Sequence, residues 1–239
     1  MISSIDESVV LLAGGFGTRL RAMVKNVPKP LAPVGKSPFL QYLLQDLIDQ
    51  GCRKFILSLH YQADQILRFI EQFKTEINSD IIMHAVIEPS PRGTGGALEF
   101  VVEQEFLKGT FYVMNADTYL PGGLRQLSQI AHNVDNAIAL VPAPQTSRYG
   151  SVQVNSIDQV IGFHEKNAKV AARLINSGVY KLHTSFFTQK RQIKYSLERE
   201  LFPDMIQKKQ LYGYEIQTEF IDIGVPEDYQ KFCLIANGF

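Results

Sequence analysis

The chain has 239 residues, 45% of them hydrophobic and 20% charged, enough apolar material for one large or two small globular domains with a substantial core. Lys plus Arg number 24 and Asp plus Glu number 24, so no basic excess exists to hold a nucleic-acid polymer or an anionic membrane surface. Cys52 and Cys233 stand outside any CxxC or Cys/His grouping, which argues against a disulfide framework and a zinc site, and the sequence shows neither a secretory leader nor a membrane-length apolar run, so a cytoplasmic protein is expected.

In chain order, SVVLLA (8–13) predicts a buried parallel strand that runs into Gly14 and Gly15. SPFLQYLLQDLIDQG predicts a helix in which Ser37 caps, Pro38 suits the first turn, and Phe39, Leu40, Leu43, Leu44, Leu47 and Ile48 follow helical spacing up to Gly51. Next come a strand (53–60), a helix (63–73), a strand (81–87), a helix (95–107), a strand (110–117), a helix (124–133) and a strand (136–143). Such alternation predicts a doubly wound, mostly parallel sheet flanked by helices, with ligands at the carboxyl ends of its strands. The glycine turn and Asn115-Ala116-Asp117 both fall at such ends. Beyond residue 144 the rhythm changes to shorter strands (151–155, 159–165, 174–183), a helix (197–209), strands at 211–217 and 219–223, and a terminal helix from Pro226. The expected organisation is one domain over 1–239, with a nucleotide-binding lobe over 1–143 and a smaller lobe over 144–239.

The stretch LLAGGFGTRLRAMVKNVPKPLAPV carries the densest chemistry. A Walker loop needs GxxxxGK[ST], which Gly14 to Arg19 do not supply. A dinucleotide GxGxxG fails too, because Leu20 occupies the third glycine position and no ribose-binding acid follows the second strand. What remains is a set of glycine amides able to converge on phosphate oxygens, a guanidinium fork at Arg19, and Lys29 stiffened by Pro28 and Pro30. That combination suits a polyphosphate. The five histidines show no HExxH or other metal spacing and read as structural or surface residues.

LAGGFGTRL followed by VPKPLAPV resembles the sugar-1-phosphate nucleotidyltransferases, and the resemblance continues in order along nearly the whole chain. It implies the nucleotide-diphospho-sugar transferase fold, a Rossmann-like, GT-A-like mixed α/β sheet with a sugar-binding lobe. It also implies attack of a sugar 1-phosphate on the α-phosphorus of a nucleoside triphosphate, with release of pyrophosphate. By the same resemblance, Leu12, Ala13, Gly14, Gly15, Gly17 and Thr18 hold the nucleotide, Arg19 clamps the triphosphate, and Lys29 bridges toward the α-phosphate. Glu88 and Gly93-Thr94-Gly95 contact the base. Asn115, Gly150, Glu165, Asn176, Gly178 and Glu198 serve the sugar, and Lys166 holds its phosphate. Asp117 and Asp222 are the implied Mg²⁺ ligands; they stand in opposite halves of the sequence, and closure of the fold around nucleotide and metal is one way to unite them.

Base and sugar rest on finer likeness. Glu88 offers acceptors for guanine N1–H and N2–H, and GTGGAL is similar to the segment found in guanylyltransferases. The members most similar in pattern use GTP with D-glycero-α-D-manno-heptose 1-phosphate, followed by those using mannose 1-phosphate, and both feed surface-polysaccharide synthesis. Ala116 departs from the usual glycine, and NAKVAARL after Lys166 lacks the family's glycines and proline. No hexapeptide-repeat tail follows, so no acyltransferase activity is expected. The implied partners are a nucleoside triphosphate and a sugar 1-phosphate, and a homodimer is compatible with the sequence. The alternatives are a uridylyltransferase of the same family, a GT-A-type glycosyltransferase, disfavoured because Asn115-Ala116-Asp117 has one acid where DxD has two, and a non-catalytic nucleotide-sugar sensor.

Overall fold

Val9, Val10 and Leu11 have no exposed surface, and that complete burial follows from a strand covered on both faces. In the computed structural model, which describes residues 4–17, 19–20, 23–104, 106–143, 149–164, 173–188 and 192–236, the chain forms two compact units, each assembled from separated segments. One comprises the chain up to Pro91 with Met114–Gly122 and the segment from Glu219 onward; the other comprises Arg92–Val113 and Gly123–Thr218.

In the first unit Val9–Leu12 pairs in parallel with Lys54–Leu59, Val9 opposite Phe55, and Lys54–Leu59 pairs in parallel with Ile82–Ile87. The helix Phe39–Asp49 buries Phe39, Leu40, Leu43, Leu44 and Leu47, the face its spacing predicts. Its start differs from expectation. Ser37 makes no cap; Ser37–Pro38 pairs with Pro33–Val34, and the Phe39 amide donates to the Ala32 carbonyl at 2.9 Å. The hairpin supplies the helix entry that a serine hydroxyl would otherwise provide. The terminal helix Pro226–Ala236 is anchored by Phe232, whose ring meets those of Phe39 and Tyr119 at 4.9 Å and Tyr42 at 5.8 Å.

Asp46 on the Phe39–Asp49 helix accepts a hydrogen bond from Gln50 Nε2 at 2.6 Å and one from the backbone of Gly122, yet burial pushes its carboxyl up to about 6. A carboxyl raised in this way binds its proton more tightly when folded, so its contribution to stability falls as pH rises from the ordinary 3.8 to about 6. Asp46→Asn is therefore expected to flatten that slope. At pH 7 the variant gains about 1 kcal/mol, the relief from a buried charge being partly offset by a lost hydrogen bond, and denaturant melts at pH 4 and pH 7 measure it.

In the second unit Leu174–His183 runs antiparallel to Ala137–Pro142, which has Tyr212–Glu215 parallel on its other side. Ser151–Val154 pairs antiparallel with Val160–His164. The sheet is thus mixed: the βα alternation breaks after Pro142, where strands joined without crossover helices pair antiparallel, while Tyr212–Glu215, reached through the helix Phe202–Gln207, pairs parallel. Two local features depart from the regular elements predicted. Between Asn176 and Tyr180 the register against Ala137–Pro142 shifts, so the three residues Ser177–Val179 stand opposite the single residue Ala139. The predicted helix over 197–209 begins as a π turn, Leu197–Leu201, before the α-helix Phe202–Gln207. Among the described residues, no helix is long and apolar enough to cross a membrane.

Candidate active site

The glycine turn is fastened to the carboxyl ends of the parallel strands. Ala13 N–H donates to Ser58 O at 2.9 Å, and Ala116 N–H donates to Leu12 O at 3.1 Å, which sets Asn115-Ala116-Asp117 beside the turn. Gly17 has φ +59°, a backbone that favours glycine, and a Cβ there would press on Lys29 Cβ at 3.1 Å. Lys29 opens a 3₁₀ turn, Lys29–Leu31, flanked by Pro28 and Pro30, as the proline pattern implies for a fixed lysine.

Its ammonium lies between two carboxylates. Lys29 Nζ donates to Asp117 Oδ2 and stands 3.5 Å from Asp222 Oδ1, with only 10% of the lysine side chain exposed. Asp222 Oδ1 also accepts from Gly224 N–H at 2.7 Å. The two aspartates meet because Thr118–Tyr119 pairs antiparallel with Ile221–Asp222 and Ile223 N–H donates to Asp117 O at 2.9 Å. Both aspartates belong to the same compact unit, so this strand pair, rather than closure of opposite halves, unites them. Burial raises the Asp222 carboxyl above its ordinary range and the Asp117 charge adds to this, against the opposing pull of Lys29, the Gly224 amide and Arg19.

Arg19, Lys29, Asp117 and Gly224 border an open cavity, with Asp222 behind Lys29 and outside its lining. Leu12, Ala13, Gly15, Gly17, Arg19, Lys29 and Asp117, all expected to meet nucleotide or metal, line it, with Pro30, Ala116 and Gly224 completing the wall. The donor set fits a hard divalent cation: two adjacent carboxylates suit an ion that takes one or two protein oxygens and fills its remaining positions with water and phosphate. Among the described residues no third His, Cys, Asp or Glu joins them, so phosphate oxygens would have to complete the shell.

Glu88 is buried at the carboxyl end of Ile82–Ile87 and accepts from Ser58 Oγ at 3.2 Å. A Cβ on Gly14 would lie 3.2 Å from Glu88 Oε1 and 3.2 Å from His60 Cβ. Ser58, His60 and the half-exposed Phe16, whose ring packs on Tyr61 at 5.3 Å, were not singled out by their residue types. Their place at the end of Lys54–Leu59 was the available signal.

The second unit gathers another set. Gly93, Thr94 and Gly95 open the helix Gly93–Glu103, and the amides of Gly95 and Gly96 donate to Tyr195 O at 3.0 and 3.3 Å. Asn176 donates from its backbone to Gly150 O and from its side chain to Tyr180 Oη, while Gly178 N–H donates to Asn176 Oδ1 across the register shift. Glu198 accepts from Thr94, Ser196 and Tyr180; Tyr180 closes the strand motif that begins at Asn176 and Ser196 opens the Ser-x-Glu that ends at Glu198, whereas Tyr195 carried no signal in the sequence. Asn115 is not part of this set: it ends the strand Thr110–Asn115, is half-buried and belongs to the first unit. Thr18, Glu165 and Lys166 lie outside the described residues.

A turn of amides at the carboxyl end of a parallel strand, with a buried lysine and paired carboxylates beside it, defines a site for transferring a phosphate-bearing group. The chain belongs to the nucleotidyl transferase family, whose profile matches residues 8–235. It is similar to the D-glycero-alpha-D-manno-heptose 1-phosphate guanylyltransferase of Campylobacter jejuni, at 37% identity over 94% of this chain and 98% of that one. It is also similar to a mannose-1-phosphate guanylyltransferase catalytic subunit beta from Drosophila melanogaster, at 30% identity over 92% of this chain and 60% of the relative. The structure of HddC from Yersinia pseudotuberculosis complexed with GMP-PN superposes with a TM-score of 0.81, at 33% identity, covering 96% of this chain and 99% of that one.

Gly15 separates folding from binding. Among the described residues a Cβ there meets nothing within 4 Å, so Gly15→Ala is expected to melt like wild type. If the turn amides grip phosphate, the added methyl obstructs that approach and weakens triphosphate binding about tenfold, as measured by calorimetric titration.

Proposed function

We propose that this chain is a Mg²⁺-dependent guanylyltransferase acting on GTP and D-glycero-α-D-manno-heptose 1-phosphate. An oxygen of the sugar phosphate attacks the α-phosphorus, the bond to the β-phosphate oxygen breaks, and pyrophosphate leaves with its electron pair. The products are GDP-heptose and pyrophosphate. The observation that carries the reading is Lys29 held beside Asp117 and Asp222 in a cavity walled by the glycine turn. Identity to the heptose relative over nearly the full length of both chains supports the substrates.

Two anions must meet in this reaction, so neutralisation and positioning carry the catalysis. Enzymes of this family generally use a divalent metal. Asp117 and Asp222 are the residues that would hold Mg²⁺, and the chemistry it would supply is neutralisation of phosphate charge. Arg19 would hold the β- and γ-phosphates and stabilise the departing pyrophosphate. Lys29, released from its carboxylates, would serve the α-phosphate as negative charge accumulates there. Glu88 would accept from the guanine edge, and Asn176, Gly178 and Gly150 would shape the sugar side, with Glu165 and Lys166 on its hydroxyls and phosphate. A cytoplasmic role in surface-polysaccharide synthesis accords with such a product.

The test is a matrix of GTP, ATP, CTP, UTP and dTTP against heptose, mannose and glucose 1-phosphates, read by pyrophosphate release with Mg²⁺. GTP with the heptose phosphate is expected to have the highest kcat/KM. A preference for mannose 1-phosphate would reassign the sugar, and nucleotide binding without turnover of any pair would favour the sensor. Asp117→Asn should keep the fold and lose about two orders of magnitude in kcat. A wild-type rate in that variant would discard the aspartate's metal role.

A further inference from the structure

Glu198 is a junction within the second unit. Its Oε2 accepts from Ser196 Oγ at 2.6 Å and Thr94 Oγ1 at 3.0 Å, and its Oε1 accepts from Tyr180 Oη at 3.3 Å. Thr94 also accepts the Leu197 amide at 2.9 Å, which ties the start of the Gly93–Glu103 helix to the π turn. On the other side Tyr180 Oη accepts Asn176 Nδ2 at 2.8 Å, and Asn176 Oδ1 accepts Gly178 N–H at 2.9 Å. The chain of donors and acceptors is continuous from Thr94 to Gly178. Backbone bonds reinforce its first half: Tyr195 N–H donates to Arg92 O, and the Gly95 and Gly96 amides return to Tyr195 O.

We infer that Glu198 is a positioning residue that couples the base-contacting segment 93–96 to the sugar-contacting strand 174–183, so that nucleotide binding prepares the sugar site. The inference rests on the proposed assignment of those two segments. Three hydroxyls on one carboxylate hold it in place more firmly than any one would, and loosening one member shifts the others. A π turn at the junction gives that shift a place to occur, since its wider hydrogen-bond spacing is less regular than an α-helix. The hydroxyls of Thr94 and Tyr180 therefore act through Glu198 on the opposite substrate.

Amide hydrogen exchange with a non-hydrolysable GTP analogue, in the absence of sugar, tests this directly. In wild type, slowed exchange is expected at 93–98, at 195–201 and at 174–180; in Thr94→Val it should persist at 93–98 and vanish at 174–180. In kinetics, Thr94→Val should raise the KM for the sugar phosphate and Tyr180→Phe the KM for GTP, each about tenfold with kcat little changed. Glu198→Gln retains oxygen acceptance for Thr94 and Ser196 and should recover part of the coupling that Glu198→Ala loses. The proposal is overturned if nucleotide leaves 174–180 unaffected in wild type, or if each variant alters only its own segment's substrate. A rise in the sugar KM alone in Glu198→Gln, with exchange unchanged, would instead make Glu198 a direct sugar ligand and overturn it too. Failure of the underlying assignment has a different signature: no nucleotide slows exchange at 93–98, and the proposal falls with it.

Discussion

Lys29→Met is expected to lower kcat/KM by about a thousandfold and to weaken the fold unless Mg²⁺ is added. The catalytic loss follows from removing a positive charge where two anions must approach, a site that is nine-tenths buried and poorly screened by water. The folding loss has a separate origin. Without the ammonium, Asp117 and Asp222 face each other unpaired. Removing one partner of a buried ion pair costs about 3–5 kcal/mol, but Asp117 retains 32% of its side-chain exposure, so about 2 kcal/mol is the reasonable expectation at pH 8.

The pH dependence gives the sign. Burial and the Asp117 charge already raise the Asp222 carboxyl in the presence of Lys29 and Arg19, and loss of Lys29 raises it further. An acid raised in the folded state takes up a proton on folding, so the penalty appears as pH climbs from the ordinary 3.8 through the raised value and shrinks below it. Denaturant melts of the variant at pH 5 and pH 8 should therefore diverge, with added Mg²⁺ restoring stability at pH 8 by occupying the carboxylates. Wild-type turnover in Lys29→Met would remove the lysine from the mechanism. Equal melts at both pH values would remove the carboxylate pair from the stability argument.

The parallel half of the fold was legible because Val9–Leu12 and Lys54–Leu59 are almost entirely buried, and a continuous apolar run bounded by turn residues has few other readings. The direction of later strands was not legible. Ala137–Pro142 is as apolar as its predecessors, and nothing in its composition distinguishes an antiparallel neighbour from a parallel one. At the site, Gly15, Arg19, Lys29 and Asp117 could be placed together because one glycine turn and one strand end bring them there. The pairing of Lys29 with Asp222 spans 193 positions and depends on a strand of two residues, Ile221–Asp222, too short to show any period. The π turn at Leu197–Leu201 was hidden for a similar reason: Leu197, Leu201 and Phe202 satisfy the helical spacing that it interrupts.

The glycines at 93–96 were legible as a segment and not as a packing requirement, and Gly95→Ala is the variant that separates the two. A methyl at Gly95 would fall 2.2 Å from Tyr195 Cε2 and 2.3 Å from Cδ2, distances at which the ring has to move. Tyr195 has little room to do so: it is buried, its amide donates to Arg92 O, and its carbonyl accepts from Gly95 and Gly96. Alanine in a helix gains about 1 kcal/mol over glycine, whereas overpacking a filled interior costs about 1–3 kcal/mol. The net expectation is a destabilised protein in which residues 193–201 have shifted relative to the Gly93–Glu103 helix. Because about 1 Å of displacement near reacting groups can cost a hundredfold, kcat/KM for GTP should fall by that order even with Lys29 and Asp117 untouched. Adding Tyr195→Leu to Gly95→Ala removes the ring that the methyl strikes, so the double variant should be more stable than the two single losses added together. Strict additivity in urea melts of the four proteins would mean that the ring relaxes at no cost and that glycine at 95 serves the nucleotide alone.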